Sequence, residues 1–81
     1  MTLQNLQKLL SELIDHQRKT LLKYAREIVK DATAEDILQP NDFPELENSP
    51  HFRYEEGIVA GLQSAESAVN AWIAEQKKET V

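Results

Sequence analysis

The 81-residue chain has no cysteine, so disulfides and thiolate metal sites are excluded. That composition fits a reducing compartment. No apolar run approaches the roughly 18 residues of a membrane span, and the N-terminus lacks a basic-then-apolar signal pattern. The expectation is a cytoplasmic protein with no membrane partner. Glycine is scarce, with two residues in all, and no Gly-rich phosphate loop is possible. Without a cysteine, and with Ser11, Ser49, Ser64 and Ser67 suited to capping or small-residue packing, no nucleophile–base pair stands out. A chain of this size buries only about 60% of its unfolded surface, so one small domain that leans on a partner is expected.

What is present is helical patterning. Ser49 suits a cap and Pro50 a first helical position, and no later proline interrupts the chain. A long helix over about 49–78 is predicted. Along it Gly57, Gly61, Ser64, Ala65, Ala68 and Ala71 recur at spacings of three and four. Two glycines inside a helix cost about 1 kcal/mol each against alanine, which predicts a close-packed seam against helix 1, a second copy, or both. Phe52, Ile58 (with Val59), Leu62, Ala65, Val69 and Trp72 (with Ile73) form an apolar stripe overlapping that seam. Trp72 is expected as a core residue, packed against the N-terminal leucines of helix 1 or at a dimer seam; if the long helices run antiparallel, it lies near Leu6, Leu9 and Leu10.

Helix 1 is predicted over about 2–32, capped by Thr2. Leu3, Leu6, Leu10, Leu13, Leu21, Tyr24 (or Ala25), Ile28 and Ala32 give it one stripe at helical spacing, widened by Leu9, Ile14, Leu22 and Val29. The stripe lapses over six polar residues from Asp15 to Thr20, where Gln17 stands in place of a leucine. Helix propensity stays high there, so one continuous helix is expected. The connector, 33–48, is punctuated and not periodic. Thr33 with Asp36 resembles a capping box opening a short turn that Pro40 stops, and Asp42 before Phe43-Pro44-Glu45 suggests a second capped turn. The fold class is therefore all-α: an antiparallel two-helix hairpin with an ordered connector containing short helical turns. The breadth of apolar surface predicts homodimerisation into a four-helix bundle.

Charge is unevenly placed. Residues 1–30 hold six basic and three acidic side chains (+3), residues 31–56 eight acids and Arg53 alone (−7), and residues 57–81 three acids and two lysines (−1). The total of −5 argues against nucleic-acid binding. The asymmetry predicts that the connector lies near the basic face of helix 1, in the same chain or a neighbour.

Three function classes follow. The preferred one is a non-enzymatic interaction module, adaptor or assembly subunit, with itself or another protein as partner and no cofactor. Its seam would be Gly57, Gly61, Ser64, Ala65, Ala68 and Trp72. Its candidate recognition residues are Phe52, Arg53 and Tyr54 at the start of the last helix, with His16 and Gln17 in the polar middle of helix 1. The second class is a metal- or nucleotide-dependent enzyme using Glu12, His16, Glu55, Glu56 and Glu66. Its weakness is spacing: the Glu-x-x-His of di-iron bundles is absent, since Leu13 precedes His16 by three and Asn48 precedes His51 by three. The third class, an acidic decoy for a nucleic-acid-binding protein, rests only on the −7 segment.

Overall fold

The computed structural model describes residues 2–79, with side chains through Lys77. Helix α1 spans Leu3–Ile28, two 3-10 turns cover Asp36–Leu38 and Pro40–Asp42, α2 is the single turn Pro44–Glu47, and α3 spans Pro50–Glu79. No strand occurs among the described residues. The molecule is a rod of 51 × 20 × 19 Å, the length set by the two long helices.

The caps match the residue types. The Asn5 amide donates to Thr2 Oγ1 at 3.0 Å, and the Phe52 amide donates to Ser49 Oγ at 3.2 Å ahead of Pro50. The Thr33–Asp36 capping box is complete: the Thr33 amide donates to Asp36 Oδ2 and the Asp36 amide to Thr33 Oγ1. Asp42 does not cap α2. The cap position is Phe43, which offers no side-chain acceptor, and Pro44 at the first helical position has no N–H that needs one.

Helix α1 stops about a turn short of Ala32. Val29 is extended (φ −121°, ψ 102°), and Arg26 Nε donates to the Ala32 carbonyl across the bend. This turn carries Ala32 into a buried position, where it joins Leu21, Ala25, Ile37, Leu46, Phe52 and Val59 in one cluster flanked by Leu22, Val29 and Phe43. Continuing the helix would have carried Ala32 past the end of the bundle. Leu46 and Phe52 are completely buried, so the connector is the third layer that closes this end.

The helices α1 and α3 are antiparallel. Polar or ring contacts join Gln7 to Asn70, Ser11 to Glu66, Gln17 to Glu55 and Tyr24 to His51, so the partner falls along α3 as the residue rises along α1. The polar step from Asp15 to Thr20 does not break α1. Gln17 keeps its place at the helix contact by donating from Nε2 to Glu55 Oε2 at 2.8 Å.

Candidate functional site

Helical spacing gives the two edges of the hairpin different chemistry. One edge runs through Gln7 and Ser11 on α1 and through Glu66 and Asn70 on α3, and it is bridged by hydrogen bonds of 3.0 and 3.2 Å. The other edge is fixed by Gln17–Glu55 and Tyr24–His51 near the connector. Counting back from Tyr24 by three and four gives Thr20, Gln17, Leu13, Leu9 (with Leu10) and Leu6. Counting forward from His51 gives Glu55, Ile58, Leu62, Ala65, Val69 and Trp72. These two rows share a side, and beyond Gln17 and Glu55 neither carries a formal charge.

That side is incompletely covered. Leu9 and Leu13 are exposed, Leu6, Leu10, Leu62 and Val69 are half-buried, and Trp72 is 51% exposed. The expectation of Trp72 as a core residue of the hairpin is corrected: its neighbour Ile73 holds the buried position, beside Leu3 and Gln7, and Trp72 stands on the open side. A single face of α3 cannot turn both residues into a two-helix contact, and the register set by Gln7–Asn70 selects Ile73.

The small-residue seam lies on the outer flank of the same side. Gly57, Gly61, Ser64, Ala65 and Ala68 are all exposed, and no atom stands within 4 Å of a Cβ built on either glycine. Within one chain nothing packs on the seam, so the part of the expectation that assigned it to α1 does not hold.

The aromatic and cationic group at the start of α3 is divided. Phe52 is fully buried and belongs to the core, which removes it from any recognition surface. Arg53 donates from Nε to the Glu47 carbonyl at 3.0 Å and pairs with Glu56 at 2.8 Å. It pins the connector through a backbone oxygen and not through the carboxylates of Asp42, Glu45 or Glu47. Tyr54 is 68% exposed and turned outward, and His16 is also exposed.

The carboxylates are separated. Glu55 accepts from Gln17 and stands 3.5 Å from His51, Glu56 pairs with Arg53, and Glu66 accepts from Ser11, while Glu12 and His16 are exposed. Among the described residues no three His, Asp or Glu side chains gather as a metal site. Nor do the connector acids pair with α1. Among the described residues, Asp15 pairs with Arg18, Glu56 with Arg53, and Glu55 stands beside His51, each contact within one helix. Arg26 reaches the connector through the Ala32 carbonyl. The acidic segment and the basic helix are thus adjacent in the chain without neutralising one another.

No family model, curated protein or solved structure matches this chain.

A functional reading therefore rests on its own surfaces. No described helix is long and apolar enough to cross a membrane. Beside the Leu6–Trp72 side, sequence reasoning missed a second feature, a groove of about 550 Å³ on the polar edge near the connector. Its rim residue Leu38 is 75% exposed. The only signal for it was an apolar Ile37-Leu38 pair in a segment otherwise rich in acids.

Proposed function

We propose that this chain is a non-enzymatic helical interaction module whose first partner is a second copy of itself. The copies meet side to side across the rows from Leu6 to Leu13 and from Leu62 to Trp72, completing a four-helix bundle. The observation that carries this reading is the contrast between the hairpin's two edges. In the half remote from the connector, one edge is closed by Gln7–Asn70 and Ser11–Glu66. The other leaves Leu9, Leu13 and Trp72 open, and the rows they belong to carry no formal charge in this half, the nearest exposed charges, Glu12 and Glu75, standing on their outer flanks.

The connector explains why the need for a second layer is confined to this half. At its own end it supplies Ile37 and Leu46 as cover. Elsewhere two helices can bury only one stripe each, and the flanking leucines need another pair of helices. The small seam from Gly57 to Ala68 borders the same side and lets a neighbouring backbone approach closely. An assembly subunit or adaptor of this kind requires no cofactor.

Light scattering over a concentration series, with and without divalent metal, tests the reading. The expected mass is about twice the 9.3 kDa of the chain, unchanged by metal. Leu9→Glu with Leu13→Glu, both at exposed positions, should return the monomer while circular dichroism retains its helical signal. A parent that is monomeric at every concentration refutes the proposal.

A further inference from the structure

The groove on the polar edge offers a second surface. It is walled by Leu21 and Leu22 of α1 and by Val59 and Ala60 of α3, and Ile37 and Leu38 of the first 3-10 turn close one end. It is open to solvent along one side. Its α3 wall runs from Glu56 to Gln63, about 10 Å at 1.5 Å per residue, or two helical turns.

The charges around it are unequally engaged. Glu56 is committed to Arg53 at 2.8 Å. Arg18 reaches only Asp15, at 4.0 Å, with both side chains at least half exposed, and Lys19 makes no ion pair. Of the charged residues that line the groove, the two left weakly engaged, Arg18 and Lys19, are basic, in a molecule whose net charge is −5.

We propose that this groove docks an amphipathic helix of another protein, presenting two or three leucine-class anchors and an acidic flank. The anchors at i, i+3 or i+4, and i+7 span two turns, which matches the walls, and they would bury Leu38 together with the exposed edge of Ala60. The acidic flank would meet Lys19 and Arg18, whose present partners are absent or weak. A helix suits an open groove better than an acyl chain does. It seats one stripe and covers the opening with its own backbone, whereas a flexible chain would leave one flank in water. The groove lies on the opposite edge from the Leu6–Trp72 side, so the partner helix and the second copy do not compete.

The test uses two fluorescein-labelled model peptides of about 18 residues with leucine at every third or fourth position, one flanked by glutamate and one by lysine. Each is titrated into the full chain by anisotropy, and amide shifts locate the site. The expected result is binding of the glutamate peptide roughly tenfold tighter than the lysine peptide. The shifts should centre on Leu22, Ile37, Leu38 and Ala60. Lys19→Glu should abolish or invert the preference, and Leu38→Glu should weaken both peptides. Both substitutions are at exposed positions, and circular dichroism confirms that the variants fold. Equal affinity for the two peptides, shifts confined to the Leu6–Trp72 side, or indifference to Lys19→Glu would each overturn the proposal. So would binding of decanoate in the groove by a chain that takes neither peptide. An oligomer larger than the dimer that Leu38→Glu disperses would assign the groove to another copy of the chain and overturn it too.

Discussion

Replacing both helical glycines with alanine tests the open seam most directly. Gly57 and Gly61 lie inside α3, yet no atom stands within 4 Å of a Cβ built on either. In the single hairpin the new methyl groups therefore meet only solvent, and the remaining effect is backbone propensity. Glycine is about 0.8–1 kcal/mol worse than alanine in a helix interior, so the double variant should gain about 1.5–2 kcal/mol. At 4–8 °C per kcal/mol for a domain of this size, Tm should rise by roughly 6–16 °C. The assay is a thermal melt followed by circular dichroism, at about 5 µM to favour the single chain and about 500 µM to favour association. A lower Tm at the dilute end would refute the reasoning, because it would mean that the glycines are already covered within one chain. Gly61→Leu completes the comparison. At dilution it should melt no lower than the parent. At high concentration it should cost the association several kcal/mol if another backbone closes on the seam, as overpacking does.

Truncating Leu46 to alanine removes a fully buried side chain from the third layer and should cost about 2–5 kcal/mol, read as a lower urea midpoint. Thr33→Ala deletes one half of the capping box and should cost about 0.5–2 kcal/mol, with faster hydrogen exchange at the Asp36 amide. An unchanged urea midpoint for Thr33→Ala would show that the 3-10 turn stands without its cap. The Leu9→Glu, Leu13→Glu pair should halve the mass of the associated form and leave the core melt at dilution nearly unchanged, since both positions are exposed.

The helices, their antiparallel run and the ordered connector were legible in the sequence because capping residues and apolar spacing are local signals. Thr2, Thr33 with Asp36, and Ser49 with Pro50 each act where their residue types place them. The end of α1 was not legible, because Ala32 leaves the helix to satisfy packing with Ile37 and Leu46, a demand made by residues distant in sequence. The stripe held both Trp72 and Ile73, and which of them turns inward was not legible for a related reason. Both lie on the broad apolar arc of α3, and only the register fixed by Gln7–Asn70 separates them. Phe52 stood both on the apolar stripe of the last helix and among the candidate recognition residues. Its burial follows from its place one turn beyond the Ser49 cap, where the connector folds over it. The charge asymmetry was read correctly as composition, but proximity in sequence did not become pairing: the bases of α1 and the acids of the connector form no ion pairs with one another.

The concentration of fully buried side chains at the connector end has a further consequence for how the rod opens. Amide protection should be greatest around Leu21, Leu46 and Phe52 and should decline toward Leu3 and Ile73, where the buried cluster does not reach and the side chains bridging the edge are half-buried or exposed. The two long helices then behave as the arms of a clamp hinged at the closed end. Their free ends can part slightly without unfolding the molecule, and that freedom is available for fitting the arms to whatever lies across them.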